Sequence, residues 1–185
     1  MFDKQILVIN IERGLNVLAV CGIILLLALT FGFQFVLKEL PCPLCILQRV
    51  GFLVISIGFL LNLRYGLRPS HYALVLLGAL FTAFVALRQV ALHIVPGTGA
   101  YGSSIFGMHL YTWSFIVSML IVIFTTIILG FDIQYIKPKV KQERFKPIVH
   151  LAFALVLVLA VSNFVSVMAE CGLGSCPENP TQYLW

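Results

Sequence analysis

The chain has 185 residues, of which 61% are apolar and only 10% are charged, whereas soluble domains carry about 25% charged residues. The mean hydropathy of +1.04 leaves too little polar surface for a water-soluble globule, so we expect the lipid bilayer to solvate much of the chain. The net charge of +5 does not indicate nucleic-acid binding, because the basic residues lie in short connectors between apolar runs.

Five segments reach the length of about 20 apolar residues that crosses the hydrocarbon core of a bilayer. In chain order they cover residues 15–37, 45–63, 72–92, 111–130 and 148–168. They predict an all-α integral membrane helical bundle that forms a single membrane domain over residues 1–185, with a tail at 169–185. No cleavable signal peptide is predicted, and Cys21 is interpreted as a buried packing residue of the first span.

The charged connectors predict how the spans are oriented. Nine of the 12 Lys and Arg residues lie before the first span or in the connectors after the second and fourth spans: Lys4, Arg13, Arg64, Arg68, Lys137, Lys139, Lys141, Arg144 and Lys146. The positive-inside rule then places the N-terminus in the cytoplasm and the C-terminal tail outside. The outer side would contain the connection around 38–44, the glycine-rich loop around 93–110 and the tail.

Four of the five cysteines form two natural pairs, both on the predicted outer side. Cys42 and Cys45 make a C-x-x-C at the start of the second span, and Cys171 and Cys176 lie just beyond the fifth. A helix N-terminus favours a thiolate, and a second cysteine nearby can resolve a mixed disulfide. Thiol–disulfide exchange requires both of these features. A purely structural disulfide is the alternative for Cys42 and Cys45.

Arg49 and His93 are the candidate ligand-binding residues. Arg49 follows Cys45 by one helical turn, about 6 Å deeper in the bilayer, and an arginine within a span usually faces a partner or a polar ligand. A hydrogen-bond acceptor such as a quinone oxygen would suit it, although the side chain could instead snorkel to the interface. His93 could exchange protons with the same acceptor or make only a structural hydrogen bond, and Arg88 and Gln89 could satisfy one another.

The segment Pro41-Cys-Pro-Leu-Cys-Ile-Leu-Gln-Arg-Val50 resembles the DsbB family, the disulfide bond formation proteins of bacterial inner membranes. The resemblance covers roughly residues 10–130 and includes the connector from Gly66 to Pro69 and the stretch from Ala86 to His93. It implies a four-helix core, to which the fifth span is an addition. It also implies that a periplasmic thioredoxin-like oxidase (DsbA-like) delivers electrons and that a bound ubiquinone or menaquinone accepts them.

The resemblance also implies roles for single residues. Cys45 would be the thiolate that meets the quinone and Cys42 its disulfide partner, with Arg49 and His93 beside the quinone. The best-known members carry a second cysteine pair in the second outer loop, but residues 94–110 contain no cysteine here. We therefore predict that Cys171 and Cys176, returned to the outer side by the fifth span, replace that pair as the relay to the oxidase. A local clip on the tail is the alternative.

Three other interpretations fit parts of the sequence. A vitamin K epoxide reductase-like enzyme also sets a C-x-x-C beside a quinone, but late in its bundle, whereas this one precedes the second span. Four thiolates from the two cysteine pairs could bind zinc, yet an oxidising compartment favours disulfides, so no metal is predicted. A non-enzymatic membrane anchor or assembly factor, with the tail as a docking segment, is the third.

Overall fold

The computed structural model describes residues 2–95, 97, 99–131, 135, 146–174, 176 and 182–184, the side chains of 2–6 and 146 excepted. Its five helices are α1 (Phe2–Val36), α2 (Pro43–Tyr65), α3 (Pro69–His93), α4 (Leu110–Leu129) and α5 (Lys146–Cys171). Each is long and apolar enough to cross a membrane, which confirms the predicted all-α membrane bundle. The predicted basic connector of Lys137, Lys139, Lys141 and Arg144 lies outside the described residues, as do tail residues 175, 177–181 and 185.

The helix ends follow from local sequence. Pro43 and Pro69 stand in the first turn of α2 and α3, where proline loses no hydrogen bond and its fixed φ suits a helix. α2 is capped at its C-terminus by Gly66, whose φ of 95° is a conformation that favours glycine. α1 begins well before the predicted span at residue 15, because an apolar window detects only the part of a helix that lies in lipid.

The core of the bundle forms around α2, the most buried of the five helices, which packs against α1, α3 and α5, while α4 packs on α3. Glycines bring α2 and α3 close together. A Cβ at Gly58 would lie 2.9 Å from the carbonyl oxygen of His71, and one at Gly78 would lie 3.1 Å from the backbone nitrogen of Ile55. This close packing fixes the position of α2, which carries Cys45 and Arg49.

Both cysteine pairs lie at one end of the bundle, where α1, α3 and α5 finish and α2 and α4 begin; we call it the cysteine end. The loop between α3 and α4 covers part of this end and contains a hairpin of β1 (Ser104–Ile105) and β2 (Met108–His109). The loop is tied to the α1–α2 connection, because the Tyr101 hydroxyl donates to the carbonyl oxygen of Leu40 at 2.5 Å and the Ser103 hydroxyl donates to the Glu39 carboxylate.

Candidate redox site

The two cysteine pairs are two disulfides. Cys42 and Cys45 have Cα atoms 5.0 Å apart, and those of Cys171 and Cys176 are 4.4 Å apart. Cys42 is the N-cap of α2, and its Sγ accepts a hydrogen bond of 3.1 Å from the backbone N–H of Cys45. Cys21 is unpaired and exposed on α1, so the prediction that it packs in the core is wrong: a small apolar thiol is compatible with a lipid-facing surface.

Arg49 is buried, with 6% of its surface exposed, which rules out the snorkelling interpretation. Its Nη1 donates to Oε1 of Gln34 at 2.7 Å, and its Nη2 donates to the carbonyl oxygen of Thr30 at 3.1 Å. The guanidinium carbon lies 4.4 Å from the ring centroid of Phe31, a cation–π contact. These partners are neutral, so the positive charge is held in place without being cancelled by a direct ion pair with them.

Gln34 connects Arg49 to α5 and to the tail. Its Nε2 lies 3.1 Å from Oγ of Ser166 and 3.0 Å from the hydroxyl oxygen of Tyr183. The tail backbone is attached at the same place, since the N–H of Leu184 donates to the carbonyl oxygen of Ala169 at 2.8 Å. Tyr183 and Leu184 therefore contact α1, which also binds Arg49, and the end of α5.

A first cavity contains Cys45 and Arg49. Its other polar lining includes Gln34, Glu39 and Tyr101, and apolar residues close the rest, among them Leu26, Phe33, Phe52 and Leu110. The cavity volume is about 70 Å³, which holds a few water molecules. This small cavity thus combines an arginine, a redox-capable cysteine and an apolar wall.

A second, larger cavity is lined by Cys42 and Cys176, one cysteine from each disulfide. Its volume is about 530 Å³, and Arg88, Gln89 and His93 also line it. His93 belongs to this cavity and not to the residues that line the first one, so the structure does not bring His93 and Arg49 into the same pocket. The ring of His93 is held by contacts with the backbone carbonyl of Gln89 at 2.9 Å and with the ring of Tyr111 at a centroid distance of 5.5 Å.

Gln89 contacts both sulfurs of the first disulfide. Its Nε2 lies 3.2 Å from Sγ of Cys42 and 3.5 Å from Sγ of Cys45, while its Oε1 accepts a hydrogen bond of 2.7 Å from Nε2 of Gln48. Gln89 therefore faces into the bundle, whereas Arg88 is exposed, so the alternative in which these two residues satisfy one another does not apply.

Sequence reasoning assigned no role in the site to four buried polar residues of this region: Gln34, Gln48, Gln89 and Glu170. Each is a polar side chain in an apolar span, which is in itself a signal. Glu170, next to Cys171, is only 2% exposed, and its Oε1 has no hydrogen-bond partner among the described residues. Its carboxylate interacts electrostatically with Arg49.

One family model matches the chain: that of the disulfide bond formation protein DsbB, over residues 12–100. The matched segment includes Cys42, Cys45, Arg49 and His93 and ends in the loop after α3. No curated protein and no solved structure matches the chain. The matched segment contains the first disulfide, most of α1 and all of α2 and α3, whereas α4, α5 and the second disulfide lie beyond it. Over residues 12–100 the chain belongs to the DsbB family, and this family implies a membrane disulfide oxidoreductase.

Proposed function

We propose that the protein reoxidises the dithiol of a periplasmic thioredoxin-like oxidase (DsbA-like) and passes the two electrons to a membrane quinone, ubiquinone or menaquinone. The observation that supports this proposal best is the division of one disulfide between two cavities. Cys42 faces the cavity that also contains Cys176, and Cys45 faces the cavity that contains Arg49. A relay needs such an arrangement, with one sulfur toward the electron donor and the other toward the acceptor.

The proposed orientation sets the cysteine end in the periplasm of a bacterial inner membrane, with the N-terminus in the cytoplasm. The distribution of Lys and Arg between the connectors supports it, and so does the chemistry, because a disulfide that receives electrons from secreted-protein oxidation belongs in an oxidising compartment.

Electrons would enter at Cys171–Cys176. Of these two sulfurs, Cys176 belongs to the less buried residue. A thiolate of the oxidase attacks Sγ of Cys176 and breaks the bond to Cys171, and the second thiolate of the oxidase then displaces Cys176. The oxidase leaves as a disulfide, and Cys171 and Cys176 are left as two thiols.

The same chemistry moves the electrons to Cys42–Cys45. The Cys176 thiolate attacks Sγ of Cys42 across the larger cavity, which forms a Cys176–Cys42 disulfide and releases Cys45 as a thiolate. Cys171 then attacks Sγ of Cys176, which restores the second disulfide and releases Cys42. His93, in the same cavity, is placed to hold a proton during these steps.

The first cavity suits a quinone by its chemistry. Arg49 can donate to a carbonyl oxygen, and the apolar wall suits a ring and a prenyl tail. When bound, a quinone supplies an acceptor of two electrons and two protons, so that Cys42–Cys45 returns to the disulfide. A volume of about 70 Å³ is small for a ring, so the lining side chains must move apart for it to enter.

The experiment mixes the purified full-length protein with a reduced thioredoxin-like protein and a short-chain ubiquinone, and follows quinone reduction optically. We expect cysteine-dependent reduction that is abolished by Cys42→Ser, by Cys45→Ser and by Cys171→Ser. Cys21→Ser is the matched control, since it makes the same chemical change on the exposed surface of α1 and should leave the rate unchanged.

Two results would count against the proposal in different ways. Reduction that continues in Cys42→Ser would remove the redox role of the first disulfide. Reduction at the normal rate in Cys171→Ser alone would remove the relay role of the second and support a local clip on the tail. Repeating the assay with a short-chain menaquinone identifies the preferred acceptor.

A further inference from the structure

We propose that Gln89 is a catalytic hydrogen-bond donor to the thiolates of Cys42 and Cys45, and that Gln48 is a positioning residue that holds its amide in the donating orientation. This inference rests on the proposed function only in requiring that the first disulfide opens and closes. It assigns a role to two neutral side chains that lie between the two cavities.

The direction of the hydrogen bonds follows from the atoms involved. Disulfide sulfurs can only accept, whereas a glutamine side chain can donate through Nε2 or accept through Oε1. Because Gln48 donates to Oε1 of Gln89 at 2.7 Å, the Nε2 of Gln89 is left to face the sulfurs, at 3.2 Å and 3.5 Å. The opposite orientation would set a carbonyl oxygen against two acceptors. With the disulfide closed, this orientation lets both ends of the Gln89 amide form hydrogen bonds.

Burial makes this donor effective. Gln89 is 1% exposed and Gln48 4% exposed, so water does not compete strongly for their hydrogen bonds, and a hydrogen bond to a charged group is stronger in such surroundings. Charged and titratable residues line the cavities on either side: Glu39, Arg49 and Tyr101 the first, and Arg88, His93 and Tyr101 the second. Gln89 is hydrogen-bonded to the sulfurs themselves, and it therefore acts at the atoms where charge develops.

The two sulfurs do not accept the same hydrogen bonds. Cys42 accepts from Gln89 and also from the backbone N–H of Cys45 at 3.1 Å, while Gln89 is farther from Cys45. In the relay, Cys45 leaves as a thiolate in the first step and Cys42 leaves in the second. Thiolates that are better stabilised leave faster, so the donor pair on Cys42 favours the step that completes electron transfer to the first disulfide.

The test measures the reduced full-length protein. After reduction by dithiothreitol, iodoacetamide modification of Cys42 is followed across pH 6 to 10 by mass spectrometry, which resolves each cysteine. We expect Gln89→Leu to slow modification at pH 7 by about tenfold and to move the pH profile upward by about one pH unit, the effect of losing a charge-assisted hydrogen bond. Thr82→Val is the matched control, because it removes a buried hydroxyl of the same helix that bonds only to the carbonyl oxygen of Gly78 in the described contacts.

Gln48→Met provides the second variant and the test of positioning. It should slow modification severalfold, and Gln48→Met combined with Gln89→Leu should behave as Gln89→Leu alone, since Gln48 acts through Gln89. An unchanged pH profile in Gln89→Leu, or additive effects in the double variant, would overturn the inference. If Gln89→Leu does not fold, Gln48→Met decides alone: a profile equal to that of the parent protein overturns it. The measurement uses neither quinone nor oxidase. The proposed relay can therefore be disproved while this inference holds, and this inference can be disproved while the relay holds.

Discussion

Arg49 and Gln34 form a buried hydrogen bond in which the guanidinium Nη1 donates to the amide oxygen at 2.7 Å. The amide nitrogen of the same Gln34 reaches Ser166 and Tyr183. A continuous hydrogen-bonded chain therefore joins the arginine of the first cavity to the segment that follows the second disulfide. Gln34 therefore supports both parts of the proposed relay, the cavity of Arg49 and the segment after the second disulfide.

Replacing Arg49 should weaken quinone use. Arg49→Met keeps much of the side-chain volume but removes the donors and the charge, so we expect the KM for a short-chain ubiquinone to rise by tenfold or more, equivalent to at least about 1.4 kcal/mol. Arg49→Lys should recover only part of the loss, because an ammonium cannot reach in two directions as the guanidinium does. Arg64→Met is the control: Arg64 is an exposed arginine of the same helix near its other end. An unchanged KM in Arg49→Met would contradict the assignment.

Tyr183→Phe should loosen the tail. The change removes one hydroxyl and with it the hydrogen bond of 3.0 Å to Gln34, a loss of about 1 kcal/mol. We expect faster cleavage after Cys176 in limited proteolysis at a fixed protease concentration. Tyr65→Phe alters an exposed tyrosine at the other end of α2 and should leave the cleavage rate unchanged. Equal cleavage of the two variants would show that the contact with Gln34 does not hold the tail.

The shared cavity of Cys42 and Cys176 predicts a specific cross-link. In the double variant Cys45→Ser with Cys171→Ser, Cys42 and Cys176 have each lost their disulfide partner. We expect mild oxidation to form a Cys42–Cys176 disulfide, identified by peptide mapping. The matched double variant, Cys42→Ser with Cys171→Ser, leaves Cys45, which faces the other cavity, and should cross-link poorly. Equal yields in both would mean that the cavities do not separate the two sulfurs.

Gly58→Ala should destabilise the bundle. An added Cβ would lie 2.9 Å from the carbonyl oxygen of His71, and backbone of a packed helix can relieve such a contact only by moving α3 away, at a cost of about 1–3 kcal/mol. The thermal midpoint in detergent measures the effect. Gly22→Ala is the control, because nothing lies within 4 Å of its added Cβ and alanine favours helix. A midpoint for Gly58→Ala equal to that of Gly22→Ala would contradict the close packing of α2 on α3.

Tyr101 predicts a pH dependence at the alkaline end. Burial, followed by the charges of Glu170 and Glu39, raises the pKa of the Tyr101 phenol to about 12 from its usual value of about 10. A raised pKa means that the contribution to stability is complete below pH 10 and is lost as the pH rises toward 12. The stability difference between the parent protein and Tyr101→Phe should therefore be constant from pH 7 to 9 and shrink above pH 10. A difference that grows above pH 10 would contradict the sign of the shift.

The spans and the cysteine pairs could be predicted because each depends on local sequence. Apolar windows of membrane length located all five helices, and the spacing of Cys45 and Arg49 placed both on one face of α2, where they line the same cavity. The predicted single domain, the membrane orientation and the roles of the site residues stay predictions.

The lateral arrangement could not be predicted, since helical periodicity does not say which neighbour a side chain meets. His93 and Arg49 lie on different helices, and only the packing of α3 against α2 places them in separate cavities. The partner of Gln89 could not be foreseen for the same reason: Gln48 is 41 positions away along the chain. Cys21 was misjudged because, in a bilayer, an apolar residue can face lipid as readily as the core.

The position of the second disulfide at the end of α5 has a consequence for biosynthesis. Cys171 is the last residue of α5 and Cys176 follows it, so the first disulfide can form in the membrane before the second disulfide exists. Under the proposed relay, a nascent chain cannot accept electrons from the oxidase until insertion of α5 has brought Cys171 and Cys176 to the periplasmic side. The order of synthesis would then prevent electron transfer from the oxidase to molecules that are only partly inserted.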